Sequence, residues 1–133
     1  MIVYIYGGVS SGKSEYAESL ISEKFDKKIY LATMENIGDY AGKRVQKHIL
    51  QRAGKGFFTV EEPRHIKDLN INFEDNILLE DLTNLLSNNL FDESGLKNNF
   101  KQITEEIFSD IITLKSRCNS VFIVGNDIFS TER

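Results

Sequence analysis

Residues 7–14 read G-G-V-S-S-G-K-S and fit the pattern G-x-x-x-x-G-K-[ST], with Gly7, Gly12, Lys13 and Ser14 at its fixed positions. Binding a polyphosphate calls for such a stretch. A concave row of backbone N–H groups at a helix N-terminus meets the anion where the helix carries its partial positive charge. Gly7, Gly8, Val9, Ser10, Ser11 and Gly12 would supply that backbone, Lys13 a mobile cation for β- and γ-phosphates, and Ser14 a hydroxyl for Mg2+ coordination. The pattern requires a strand before it and a helix after it. Residues 1–6 (M-I-V-Y-I-Y) form an apolar, β-branched and aromatic run suited to a buried strand, and residues 15–23 carry Ala17, Leu20 and Ile21 at helical spacing.

A second group of candidates lies at the ends of later apolar runs. Residues 76–80 (N-I-L-L-E) read as a strand ending in a carboxylate, with Asp81, Leu82 and Thr83 directly after. An acid at the C-terminal end of such a strand commonly holds Mg2+ in phosphate-loop enzymes, so Glu80 and Asp81 are both candidates. Thr83 reads equally as a helix cap and as a site residue. Residues 120–125 (S-V-F-I-V-G) form another strand, with Asn126 and Asp127 at the edge where ligands bind in open parallel sheets.

A third group is basic. Residues 43–55 (K-R-V-Q-K-H-I-L-Q-R-A-G-K) contain no acid, and if their centre is helical Arg44, His48 and Arg52 share one face. On spacing alone His48 is a solvated helix-surface histidine between two guanidiniums. Glu61 and Glu62 follow the strand-like residues 57–60 (F-F-T-V) and precede Pro63, as a solvated pair or as nucleotide contacts. His65 belongs to no motif and is expected at the surface.

The elements that must position these residues follow from periodicity. Residues 28–33 (K-I-Y-L-A-T) make a second strand, so the opening is a β-loop-α-β unit, which favours a parallel sheet. Residues 82–90 suit a short helix and 92–95 a connection. Leu96, Phe100, Ile103, Ile107, Ile111 and Leu114 then mark the core stripe of a long amphipathic helix capped by Ser94.

At 133 residues the chain is expected to be one domain, residues 1–133, able to bury a real core. Its net charge of -4 suggests no general affinity for nucleic acid or anionic membrane. No apolar run approaches the roughly 20 residues of a membrane span, and no basic region precedes an apolar segment at the N-terminus. A cytoplasmic protein is expected. Cys118 is the only cysteine, which excludes an intrachain disulfide and fits a small buried hydrophobe.

Taken in order, these stretches resemble the adenosylcobinamide kinase / adenosylcobinamide-phosphate guanylyltransferase family of cobalamin biosynthesis. G-G-V-S-S-G-K-S is similar to its phosphate loop, R-V-Q-K-H-I-L-Q-R to its R-[IV]-x-x-H-x-x-x-R segment, and F-F-T-V-E-E-P to its aromatic-x-T-x-E-E-P stretch. I-Y-L-A-T resembles its second strand, I-L-L-E-D-L-T its strand-acid-x-x-Thr segment, and V-F-I-V-G-N-D its later strand ending in Asn-Glu. The matching blocks run from residue 1 to about residue 127. The resemblance implies an α/β fold of the P-loop NTPase, RecA-like kind, a mostly parallel sheet flanked by helices.

It also implies two reactions, with GTP or ATP and Mg2+ as cofactors and adenosylcobinamide as the small-molecule substrate. A nucleoside triphosphate phosphorylates the aminopropanol hydroxyl, and GTP then donates GMP to that phosphate. In this resemblance His48 carries GMP covalently, and Arg44 and Arg52 stabilise charge on the phosphoryl oxygens. Glu61, Glu80 and Thr83 join the nucleotide site. A homo-oligomer is implied, with a trimer the expected form. Ser10 stands where family loops usually carry a basic residue, and the chain ends before the family's last helix and strand, so a C-terminally abbreviated sheet is expected. The alternatives from residues alone are another P-loop small-molecule kinase or NTPase, and a nucleotide-binding module without catalysis.

Overall fold

The structure, a computed structural model, describes residues 1–8, 12–35 and 54–126. Strands β1 (Ile2–Gly7), β2 (Lys28–Ala32), β3 (Phe57–Glu61) and β4 (Asn76–Glu80) alternate with helix α1 (Lys13–Lys24) and a 3-10 turn (Ile66–Asp68). Helix α2 (Leu82–Leu90), a small hairpin of β5 (Phe91–Asp92) and β6 (Gly95–Leu96), helix α3 (Phe100–Ser116) and strand β7 (Ser120–Asn126) follow. The main sheet has five strands in the order β1-β7-β4-β2-β3, and every neighbouring pair is parallel. This is the mostly parallel α/β architecture expected.

Both faces of the central strands β4 and β7 are covered, which is why these strands are continuous apolar runs rather than alternating ones. Ile77 and Leu79 of β4, with Val121 and Ile123 of β7, pack against Leu82 and Leu85 of α2 and Ile107, Ile111 and Leu114 of α3. Leu78, Phe122 and Val124 point to the opposite face, where Ala17 and Ile21 of α1 meet Ile5, Tyr30 and Phe57. Burial on both sides fixes the register, since a one-residue slip would exchange the two sets. Cys118 is buried, as expected of a small hydrophobe. Among the described residues, no helix is long and apolar enough to cross a membrane.

The helical stripe is shorter than its spacing suggests. Ser94 does not cap α3. Its backbone N–H donates to Asp92 Oδ1 in the β5-β6 turn, where Gly95 has φ 102, and α3 begins after Asn99. Leu96 and Phe100 are therefore 51% and 39% exposed, outside the core that Ile107, Ile111 and Leu114 fill. An Asx turn with a glycine in the left-handed region competes locally with helix, and here it prevails over the extrapolated periodicity. Residues 92–95 are thus a hairpin turn rather than a simple connection.

Parallel pairing brings the strand C-termini to one edge. Gly7 pairs with Asn126, Glu80 with Val124, and Ala32 with both Glu80 and Glu61. The N-terminus of α1 lies on that edge, so the sheet itself assembles the residues singled out above.

Candidate functional site

The described phosphate-loop residues, Gly7, Gly8, Gly12, Lys13 and Ser14, lie at the end of β1 and the start of α1. Gly12 precedes the helix with φ 82, a left-handed conformation that glycine adopts without a Cβ penalty, and its carbonyl accepts the Tyr16 N–H at 3.1 Å. Lys13 opens the helix and folds back, its Nζ donating to the Gly8 carbonyl at 3.0 Å. Val9, Ser10 and Ser11 lie outside the described residues.

Ser14, in the first turn of α1, donates its hydroxyl to Glu80 Oε1 at the end of β4. Two sequence-predicted residues 66 positions apart thus meet, with β7 lying between the strands that carry the loop and the acid. A hydroxyl and a carboxylate side by side, both partly buried, form an all-oxygen donor set. Such a set fits Mg2+, which takes one or two protein oxygens together with phosphate oxygens and water. The residues present therefore suit the cation that the loop pattern implies.

Asp81 has a different position. It is the N-cap of α2, and its Oδ1 accepts the Asn84 N–H at 2.7 Å. Burial pushes its carboxyl above the ordinary value, with the Glu80 charge adding to the rise and the Asn84 N–H and Lys13 opposing it. The folded state then holds this proton more tightly than the unfolded chain does. Stability that is intact below the ordinary value of 3.8 is accordingly lost as pH rises through the elevated folded value. In metal-free buffer, Asp81→Asn should keep the cap and gain on the wild type as pH climbs through that window. Asp81→Ala should lose about 1 kcal/mol at neutral pH for want of a cap. Urea titrations at a series of pH values read both.

Thr83 is not the cap. Its hydroxyl accepts the Asn126 N–H at 3.2 Å, joining α2 to the end of β7. Glu61 is exposed at the end of edge strand β3. Glu62 instead organises the following turn, its Oε2 accepting the backbone N–H groups of Arg64 and His65, each at 3.1 Å. His65 is exposed, as expected. Arg64 pairs with Glu35 and donates from Nε to the Asn88 carbonyl at 3.1 Å, fixing this turn against the exit of β2 and against α2. Arg44, His48 and Arg52 lie outside the described residues.

Thr33 and Asn88 also belong to this edge, and residue chemistry did not single them out. Thr33 is fully buried, and its hydroxyl contacts both backbone polar groups of Asp81. Asn88 Nδ2 donates to the carbonyls of Thr33 and Pro63 at 2.7 and 2.9 Å. The available signal was a short polar residue directly after an apolar strand, a position where side chains often complete backbone hydrogen bonding.

The family model described as cobinamide kinase / cobinamide phosphate guanyltransferase matches residues 3–131. A protein of Escherichia coli (strain K12), named bifunctional adenosylcobalamin biosynthesis protein, is 30% identical over 139 residues, covering 96% of this chain and 76% of that protein. A protein of the same name from Salmonella typhimurium (strain LT2) is 35% identical over 98 residues, covering 71% of this chain and 53% of that protein.

Proposed function

The chain belongs to the cobinamide kinase / cobinamide phosphate guanyltransferase family, and from that membership we propose that it carries out both reactions on adenosylcobinamide. First it phosphorylates the aminopropanol hydroxyl from a nucleoside triphosphate, and then it transfers GMP from GTP to the new phosphate. The observation that carries this reading is the meeting of Ser14 with Glu80 beside Lys13 at the mouth of the glycine loop.

In the first reaction the substrate hydroxyl oxygen attacks the γ-phosphorus, the bond to the β-bridging oxygen breaks, and the nucleoside diphosphate leaves as the hydroxyl loses its proton. Lys13 offsets charge on the β- and γ-phosphates, and the loop N–H groups hold them in line. Ser14 and Glu80 would hold Mg2+, which would supply positive charge to offset that of the phosphates; Asp81, one residue on, supports them electrostatically. Glu61 and Thr83 line the nucleotide side of the same edge. Whether ATP or GTP is used, the loop chemistry is the same.

In the second reaction a His48 ring nitrogen attacks the α-phosphorus of GTP and pyrophosphate leaves. A phosphate oxygen of the first product then attacks the same phosphorus, the P–N bond breaks, and adenosylcobinamide-GDP forms with His48 restored. A neutral imidazole is abundant near pH 7 and is nucleophilic enough for this. Arg44 and Arg52, four residues before and after it in the sequence, stabilise charge developing on the phosphoryl oxygens.

A cytoplasmic homo-oligomer, with a trimer as its form, completes the proposal. Ile2, Tyr4 and Tyr6 leave an exposed apolar strip on edge strand β1 that self-association would cover. Incubation with adenosylcobinamide, ATP or GTP and Mg2+ should yield the phosphate ester by mass spectrometry, and adenosylcobinamide-GDP when GTP is present. Protein that binds nucleotide yet forms neither product would overturn the reading.

A further inference from the structure

Strands β2 and β4 are in parallel register, with Ala32 opposite Glu80, and the ladder reaches one step further through the Thr33 N–H, which donates to the Glu80 carbonyl at 3.1 Å. Beyond that point β4 has ended. Asp81 turns out of the sheet with φ -135 and ψ 169 to cap α2, so its N–H loses a strand partner while still partly buried, and its C=O accepts the Leu85 N–H at 3.2 Å. The Thr33 side chain takes the place of the missing strand. Its Oγ1 accepts the Asp81 N–H at 2.8 Å and donates to the Asp81 carbonyl at 2.8 Å.

Thr33 is itself held. It is fully buried, and its carbonyl accepts Asn88 Nδ2 at 2.7 Å, the same amide that reaches the Pro63 carbonyl. The peptide unit joining Glu80 to Asp81 is therefore gripped by hydrogen bonds to one residue, on a neighbouring strand, that cannot touch a ligand. Glu80 projects its carboxylate to Ser14 from this unit. A small rotation of the backbone at residues 80–81 would swing that carboxylate away from the Ser14 hydroxyl.

We infer that Thr33 is a positioning residue: its hydroxyl fixes the backbone from which Glu80 meets Ser14, and so tunes the affinity of the site for Mg2+-nucleotide. The inference rests on the reading of Ser14 and Glu80 as the cation site. It parallels the way residues behind a metal's direct ligands set ligand orientation, where a substitution typically changes metal affinity about 10–100-fold. Thr33→Val has nearly the same shape but can neither accept the Asp81 N–H nor donate to its carbonyl. Thr33→Ser keeps the hydroxyl, and Thr33→Cys substitutes a weaker hydrogen-bonding group.

The full chain is titrated with a fluorescent GTP analogue in EDTA and at a series of Mg2+ concentrations, with thermal melts of each variant alongside. In EDTA all variants should bind equally, because the loop is untouched. The Mg2+ concentration giving half of its effect on nucleotide binding should rise about 10–100-fold in Thr33→Val, stay near wild type in Thr33→Ser, and fall between in Thr33→Cys. If the valine variant does not fold, the serine and cysteine pair carries the comparison. A folded valine variant with the wild-type Mg2+ midpoint, or a serine variant shifted as far as the cysteine one, overturns the inference. A wild type whose nucleotide binding ignores Mg2+ overturns instead the cation-site reading beneath it, a result visible before any variant is compared.

Discussion

Lys13→Ala is expected to lower both the phosphorylation of adenosylcobinamide and the GMP transfer by about 10²–10³, the cost typical of removing one preorganised group from a developing charge. Lys13 stands at the first position of α1, and its ammonium now rests on the Gly8 carbonyl at the mouth of the loop. A triphosphate arriving on the loop offers that ammonium oxygens of full negative charge in place of a neutral carbonyl. The gain is larger in a partly desolvated site than it would be in water. Each reaction needs its own intact triphosphate bound at the same loop, so both should fall together. Stability should change by less than about 0.5 kcal/mol, as for a partly exposed side chain with no core role. Rates of the two reactions at saturating nucleotide, with a urea titration, test this. A variant that keeps either rate would detach that reaction from the loop.

His48→Ala should instead separate the two activities. GMP transfer should drop by about 10⁴ or more, since loss of a covalent nucleophile removes the step itself rather than its assistance. Phosphorylation of the hydroxyl should continue near the wild-type rate, because that transfer goes directly from the triphosphate to substrate. Product analysis by mass spectrometry would then find the phosphate ester accumulating and no adenosylcobinamide-GDP. Equal loss of both products would assign His48 to the shared nucleotide site rather than to the covalent step.

The difference between these variants reflects what could be read from residue order. The glycine loop was legible because its function demands backbone geometry that few residues allow, and because a strand and a helix had to flank it. Strand β4 and helix α2 were legible to their ends, since an apolar run closed by Glu80 and Asp81 changes period abruptly. The Arg44-His48-Arg52 segment lies outside the described residues, and its role rests on the resemblance alone, as spacing leaves His48 a surface histidine.

Other features depended on contacts distant in sequence. Strand β7 lies between β1 and β4, and nothing local to any of these segments encodes that order. It follows from which apolar faces bury together. Glu80 and Asp81 are neighbours with the same chemistry, yet one reaches Ser14 and the other caps a helix, because β4 ends at the first and α2 starts after the second. Glu61 and Glu62 divide in the same way, one exposed and one satisfying the turn at Arg64 and His65. Thr33 reads in the sequence as the end of a strand, but its hydroxyl acquires a role only when β4 stops beside it. The long helix was over-extended because apolar spacing continued through Leu96 and Phe100, where an Asp92 turn and a positive-φ Gly95 set the backbone instead.

On the proposed function, this chain passes GMP through His48 to a phosphate made at its own glycine loop. Intact-mass measurement of the fresh protein after incubation with GTP and Mg2+ tests it most directly. The expected result is a GMP adduct, mapped by peptide fragmentation to His48, that disappears on addition of adenosylcobinamide phosphate as adenosylcobinamide-GDP appears. Protein that binds GTP with Mg2+ but shows no adduct, or an adduct that persists when the acceptor is added, would contradict it.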